Sequence, residues 1–516
     1  QARRRELARG CPLGRCAMAL AALAPRAARV CVVGGGAAGF YSAIACAEAE
    51  AAAAQAAVRA RRGGILVLEQ SSEVLKKVRI SGGGRCNVTH GHDVGAQAAY
   101  PRGAELIAAL GSRHGPRDTA RWFEAHGVPL RTESDGRVFP ASNKSSSVVR
   151  CLRGVAEELG VQVRTGARVV SAARLSASDP VGAPGAQFRL GLEVDGVQEE
   201  VLCGRVIFCT GSAQKRSAQR LLEGVLGTGA ALRPTVPSLF SLLLEESQRA
   251  DLEGLQGLSV PDARVEVLLP PCEEGVAPLS RDLGVDLAPT RGPLLITHAG
   301  LSGPAVLRLS AWGAYAFKEL AYRARLRVHW APFVDGPEDL AEAIRAVPVG
   351  RSDVRQGFPV RHKALGEVSP WPGRLPARLW QRLLQLTGEE AAASAGVDLP
   401  EGEALAEQPW RRFERPNAAR RLARAVWPVL SGHVLAVDGR RPNKEEFVTA
   451  GGVDWRCGLD WGRMESTLAP GVHFAGEVLD VDGITGGFNF QGCWTTGYVA
   501  GRAAAAAAAE VEAEEE

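Results

Sequence analysis

The stretch ARVCVVGGGAAGF, residues 28–40, limits the possible folds of this 516-residue chain more than any other. Its apolar, β-branched run reads as a strand. The run breaks into Gly34, Gly36 and Gly39 in GxGxxG spacing and continues as an alanine-rich helical pattern. The first glycine permits a tight turn, the second lets backbone approach a pyrophosphate, and the third lets the helix pack on the strand. Ala38 belongs to the same turn, and the helix start offers unsatisfied N–H groups and partial positive charge to phosphate oxygens. ILVLE (65–69) reads as the next strand, so the chain opens with a βαβ unit. Glu69 closes that strand, where an acid binds the ribose of an adenosine. It comes later than the usual spacing of about 20 residues, and the excess maps onto EAEAAAAQAAVRARRGG, read as a lengthened helix and loop.

A second cluster, HFAGEVLDVDGITGGFNFQ (473–491), decides between dinucleotides. The strand VHFAG ends in Glu477, whose carboxylate suits the ribityl hydroxyls of an extended flavin. Gly486 and Gly487 admit a flat ring. A helix beginning near Asn489 directs its positive end at the ring edge where reduction places negative charge. No second GxGxxG joins a strand to a helix, so one dinucleotide has the only such site, and FAD is the expected cofactor. Asp480 and Asp482 are read as residues that orient the turn.

Length, charge and cysteine usage narrow the remaining classes. Single cores stop growing at roughly 250–300 residues, so two or three packing units are expected. A net charge of +4, without basic runs interleaved with aromatics, argues little for a nucleic-acid partner. The arginines of 411–424 (Arg411, Arg412, Arg415, Arg420, Arg421, Arg424) spread around a helix and read as a solvated face. Eleven cysteines without a CxxC pair suit neither a zinc site nor a disulfide framework, so no metal is expected. No apolar run is long enough to span a membrane, so a soluble protein is expected. Residues 1–28 are rich in arginine and nearly free of acids, the pattern of an organelle transit segment; without that role the protein is expected in the cytoplasm.

The pattern along the chain sets the organisation. SVVRCLRGVAEELG (147–160) reads as an amphipathic helix before the strand VQVRT, and the alternation over 188–207 reads as a hairpin leading to a buried strand that ends at Cys209. Short strands bounded by proline follow (SLFSLLL, RVEVLLP, GPLLITH). Helical pattern then covers 337–346 and 375–427, and α/β pattern resumes at EFVTAGG. The expected division is a basic segment (1–28), a first part of the FAD-binding domain (29–216), a β-rich insertion (217–334), a helical subdomain (335–430), a return strand (431–446), a second part of the FAD-binding domain (447–504) and an acidic tail (505–516).

GGGAAG, ISGGGRCNVTH (80–90), DGRVFPASNKSSSVV (135–149), THAGLSGPAVL (297–307), EFVTAGGV (446–453) and MESTLAPGVHFAGEVLDVDGITGGFNFQ (464–491) together resemble the BaiN/YhiN-type flavoproteins. These are also described as aminoacetone-oxidase-type FAD-binding enzymes or NAD(P)/FAD-dependent oxidoreductases. The resemblance implies an α/β fold: a glutathione-reductase-like FAD/NAD(P)-binding Rossmann domain carrying an inserted β-barrel-like domain and a small helical subdomain. By position it implies that Gly34, Gly36 and Gly39 hold the pyrophosphate and Glu69 the adenine ribose. Lys77, Gly83, Gly84, Arg85, Cys86 and Asn87 would surround the middle of the cofactor, with Arg85 on a phosphate or flavin carbonyl. Thr210 and Gly211 would keep the adenine side, and Gly476, Glu477, Gly487, Asn489 and Phe490 would face ribityl chain and ring. The chain departs from the family at FCTGSAQKRSAQR, which is shorter and more basic, so the cavity entrance does not carry over.

The function implied is FAD-dependent oxidoreduction: hydride passes through flavin N5 to or from a small organic substrate of the conjugated-ketone type, with NAD(P)H docking transiently. Two alternatives stay open, an FAD-dependent amine oxidase using oxygen and a flavin-binding protein with an RNA or protein partner and no turnover. Candidates for catalysis are His298 as a proton donor, Cys86 as a redox thiol and Lys144 as an anchor for an anionic substrate. Each also has a structural reading, as a barrel-edge histidine, a packed thiol and a loop lysine. His90 and His92 form a metal pair only with a third ligand, which the sequence does not supply.

Overall fold

The computed structural model describes residues 26–57, 64–176, 185–213, 216–227, 232–268, 287–347, 360–400, 403–442 and 448–515. Of the Arg-rich segment read as a targeting sequence, everything up to Pro25 lies outside these residues, and the first strand already begins at Arg26.

Val30, Cys31 and Val32 are fully buried at the centre of a sheet whose parallel part runs Gln162–Arg164, Ile65–Leu68, Arg26–Val33, Val197–Phe208, Val472–Phe474. Buried on both faces, such strands need continuous apolar runs, as ILVL and VHF supply. The chain builds outward from the first strand in one direction and then returns to its other side. The carboxyl ends of Arg26–Val33 and Val197–Phe208 therefore part at the turns of Gly34 and Cys209. Open parallel sheets bind ligands at such a switch. Ala167–Arg174 and Phe188–Val194 form an antiparallel meander leading into the fourth of these strands.

Helix Ala37–Ala57 packs against the last helix, Phe488–Glu515, with the backbones nearly touching. A methyl group on Gly501 would lie 2.2 Å from the carbonyl oxygen of Ser42, and one on Gly497 would lie 3.0 Å from that of Ala38. The last helix runs on to Glu515, past residue 505 where the composition marks an acidic tail.

Strands Phe240–Leu244, Gly300–Ser302, Thr290–Ile296, Ser259–Leu268, Ala324–His329 and His433–Pro442 close into an antiparallel barrel. Its alternating pattern puts Phe240, Leu242 and Leu244 inside, and helix Pro304–Trp312 buries Val306 and Leu309 against it. Helices Pro337–Ala346, Ala377–Ser394 and Pro416–Gly432 share this core through Leu340, Trp380 and Leu422, and Trp410 joins it from the short turn Trp410–Phe413. The β-barrel-like insertion with its helical part, expected within residues 217–446, is present as this closed six-stranded barrel and the helices packed on it.

Residues 96–140 carry structure that the sequence reading leaves unassigned. Helices Ala104–Gly111 and Pro116–Ala125 precede Leu130–Thr132 and Arg137–Pro140; the latter is the central strand of a small sheet, paired with Thr89–His90 on one side and Leu130–Thr132 on the other. Among the described residues no helix is long and apolar enough to cross a membrane.

Candidate active site

One cavity of about 1530 Å³ begins at the parting of the two central strands and ends between the small sheet, the last helix and the barrel. At its near end the fingerprint glycines divide as their spacing implies. Gly34 has φ +112° and a Cβ there would lie 2.2 Å from the carbonyl oxygen of Cys209, while one on Gly39 would lie 1.8 Å from that of Gly34. Both are closed by packing. Gly36 has nothing within 4 Å of a would-be Cβ and lines the cavity, so its backbone is open to a ligand. Glu69 accepts the Gly35 N–H at 2.8 Å and the Ser71 N–H at 2.7 Å, so the carboxylate also fixes the loop it borders.

Gly34, Gly36, Ala38, Glu69, Lys77, Asn87, Thr210, Gly211, Gly476, Glu477, Gly487, Asn489 and Phe490 all line this cavity. Lys77 Nζ lies 2.6 Å from Glu477 Oε2, and Glu477 Oε1 accepts the Thr449 N–H at 3.1 Å. The Asn489 amide holds the preceding turn by donating to the Gly483 carbonyl at 2.8 Å and accepting its N–H at 2.9 Å. The last helix starts at Phe488, so its positive end faces the cavity.

The other expected residues stand away from it. Gly39 packs helix on strand, and Gly83 and Gly84 are exposed. Arg85 lies 3.8 Å over the Phe139 ring and pairs with Glu133 at 2.5 Å and Asn143 at 3.0 Å, so its guanidinium is occupied by protein groups. Cys86 is fully buried in left-handed backbone, φ +62°, and burial pushes its thiol up to about 12. Burial pushes Cys209 and Cys493, the thiols that do line the cavity, up to about 12 as well. His298 is exposed at the hairpin tip between Thr290–Ile296 and Gly300–Ser302, and Lys144 is exposed at the start of helix Ser145–Glu158. None of the three catalytic candidates borders the cavity. Asp480 and Asp482 do not border it either. Asp480 accepts the Gly451 N–H at 2.9 Å, and Asp482 is tied to Arg102 and Ser238.

Sequence reasoning missed the far wall. His90 stacks on Phe488 with centroids 4.6 Å apart, and its Nδ1 donates to the Gly486 carbonyl at 2.9 Å. Burial, chiefly, holds this imidazole below its usual range. From the barrel side Pro293, Leu307, Arg308 and Trp312 complete the cavity. The signal for His90 was present, since it ends the motif ISGGGRCNVTH. Arg308 follows THAGLSGPAVL by one residue. Among the described residues no group of three or more His, Cys, Asp or Glu side chains could hold a metal ion.

The residues present fit an extended dinucleotide. Thr210 Oγ1 near the glycine turn and Asn87 Oδ1 toward the far end are buried without a hydrogen-bond partner, and both residues line the cavity. Buried polar atoms of this kind normally find a partner, and a ligand reaching along the cavity from Gly36 would meet both.

The model of the HI0933-like protein Rossmann domain matches residues 28–503. The chain is 28% identical over 487 residues to the 3-dehydro-bile acid delta(4,6)-reductase of Clostridium scindens, covering 92% of this chain and 99% of that protein. It is 26% identical over 480 residues to the ribosomal RNA dihydrouridine synthase of Escherichia coli, covering 90% of this chain and 95% of that protein. Among solved structures, the 3-ketosteroid delta1-dehydrogenase of Sterolibacterium denitrificans aligns over 93% of this chain and 100% of its own, at 11% identity and a TM-score of 0.45. Matched along nearly its whole length, the chain belongs to the HI0933-like Rossmann family, a family of flavoproteins.

Proposed function

We propose that the protein is an FAD-dependent reductase of a carbon–carbon double bond conjugated with a carbonyl group, served by NAD(P)H that docks transiently. The observation that carries this reading is a continuous cavity running from the open backbone of Gly36 to a chamber between Phe488 and the barrel. The first part suits the dinucleotide and the chamber beyond it suits a substrate. Bound FAD supplies hydride transfer at N5. Gly36 and the start of helix Ala37–Ala57 take the phosphates, Glu69 the adenine ribose, and Glu477 with Lys77 the ribityl chain. The last helix places its positive end at the ring edge, a contribution of about 0.3–1 kcal/mol toward an anionic reduced ring. Pro293, Leu307 and Trp312 give the chamber an apolar lining on the barrel side.

The names of the two relatives support the substrate class. A 3-dehydro-bile acid with delta(4,6) unsaturation and the uracil ring of uridine differ in size, yet each presents an alkene conjugated with a carbonyl. The test is anaerobic. The yellow protein is mixed with NADH or NADPH, and the reduced form then meets a 3-keto-4,6-diene steroid or unmodified ribosomal RNA. Bleaching by nicotinamide and recolouring by either acceptor is the expected result, and the acceptor that works assigns the substrate. A protein that refuses FAD, or a reduced form that neither acceptor reoxidises, overturns the proposal. An amine that bleaches the band in air with release of hydrogen peroxide would replace it with an oxidase.

A further inference from the structure

We infer that Arg308 is the substrate-anchoring residue of the chamber, binding the carbonyl oxygen of the conjugated substrate and stabilising it as an enolate; this rests on the reductase reading above. Arg308 lies on helix Pro304–Trp312 and lines the cavity on the barrel side. Its Nε is buried with no hydrogen-bond partner, and its Nη1 reaches only the Arg291 carbonyl at 3.4 Å. The neighbouring cations are already occupied. Arg291 makes a two-pronged pair with Asp262 at 2.8 Å, and Arg137 pairs with Asp135 at 2.7 Å and Glu133 at 3.1 Å. Arg308 is in no ion pair among the described residues.

Its position relative to the opposite wall adds a second observation. Arg308 and His90 line the same cavity from opposite elements, His90 being stacked on Phe488 and bonded to Gly486. The helix that carries Arg308 and the start of the last helix thus both border the chamber. Leaving a buried guanidinium donor unsatisfied is costly, and a partner with oxygen lone pairs removes that cost.

The chemistry needs such a group. Adding hydride at the β-carbon of an enone breaks the carbon–carbon π bond and moves its electron pair through the α-carbon onto the carbonyl oxygen. The enolate then takes a proton from solvent at the α-carbon and regenerates the carbonyl. NAD(P)H is oxidised and the alkene reduced, so two electrons and two hydrogens balance. A fixed cation beside the oxygen lowers the energy of this charge-separated stage more than that of the neutral substrate, which is the condition for catalysis.

The test uses the oxidised, flavin-loaded protein and p-chlorophenol, whose phenolate imitates an enolate and gives a long-wavelength charge-transfer band beside oxidised flavin. The wild-type protein is expected to bind the phenolate. Arg308→Met is expected to bind it roughly 10- to 100-fold more weakly, the range of a hydrogen bond to a charged group. Arg308→Lys should recover part of the loss. Flavin content and thermal midpoint should remain those of the wild type in both variants. Equal phenolate affinity in wild type and Arg308→Met, or no phenolate binding by the wild type, overturns the inference. Because this titration involves neither nicotinamide nor turnover, its failure is distinct from failure of the reductase reading.

Discussion

A methyl group added at Gly39 would lie 1.8 Å from the Gly34 carbonyl oxygen, whereas one added at Gly36 would meet nothing within 4 Å. The same motif thus holds a packing glycine and a ligand glycine, and substitution separates them. Gly36→Val should fold with the unfolding midpoint of the flavin-free wild type and purify colourless, because the new side chain occupies the cavity and not the core. Gly39→Ala should lose at least the roughly 1–3 kcal/mol typical of overpacking, since helix and strand must separate to admit it. Urea denaturation followed beside flavin absorbance tests both. A yellow Gly36→Val, or a Gly39→Ala as stable as the wild type, contradicts the division. At this scale the sequence made the near end of the site legible, because a phosphate cradle built from backbone leaves its record in glycine spacing. The far wall left no such record. Arg85 and Arg308 look alike in the text. Only the fold shows that Phe139, Glu133 and Asn143 occupy the first, while Nε of the second has no partner.

Elements read well wherever one period dominated. The helix Ser145–Glu158 has a clear amphipathic stripe, and the strands ILVL and FSLLL have unbroken or alternating burial. The segment 96–140 was illegible because its helices are short and its strand Arg137–Pro140 pairs with Thr89–His90 from across a long gap. This segment supplies the join between the first and last helices. His114 lies between helices Ala104–Gly111 and Pro116–Ala125, with its Nε2 2.9 Å from the Tyr41 hydroxyl and its ring stacked on Tyr498 at 4.4 Å. Thr495 donates to its carbonyl at 2.8 Å. Burial lowers the imidazole to about 4 from the ordinary 6.5, so the folded protein holds it neutral while the unfolded chain still takes up a proton. The contribution is therefore complete above the unfolded value, is lost as pH falls through it, and levels off near the folded value. Its size is about 3 kcal/mol. His114→Gln keeps a partner for Tyr41 without a titrating group. The stability difference between wild type and variant should shrink steadily as denaturation is repeated from neutral to acid pH; parallel curves would show that His114 does not report on this join.

The chamber requires the barrel to sit at a fixed distance from the flavin-binding sheet. That distance depends on residues far apart in the chain, which is why composition marked the insertion without marking how it docks. Arg102, on the sheet side, pairs with Asp482 just beyond the last parallel strand and donates to the Ala311 carbonyl at 2.7 Å and to Ser238 at 3.3 Å. Ser238 leads into the first barrel strand and Ala311 is on the helix that carries Arg308. The chamber residues Leu239 and Trp312 adjoin these partners. With Asp482 fully buried and Arg102 10% exposed, removal of one charge leaves the other without its counter-ion. Asp482→Asn should cost about 3–5 kcal/mol, whereas replacing both charges with apolar groups, Arg102→Met with Asp482→Leu, should restore much of that loss. The single variant should also weaken phenolate binding at Arg308, since the helix that carries the guanidinium loses its tether. Denaturation followed by tryptophan emission, which reports on Trp330, Trp380 and Trp410 in the barrel core, measures the first effect, and the phenolate titration measures the second. An Asp482→Asn protein with wild-type stability, or a double variant no more stable than the single one, would mean that the two halves are held by apolar packing alone. The Arg102–Asp482 pair would then play no part in placing the substrate wall.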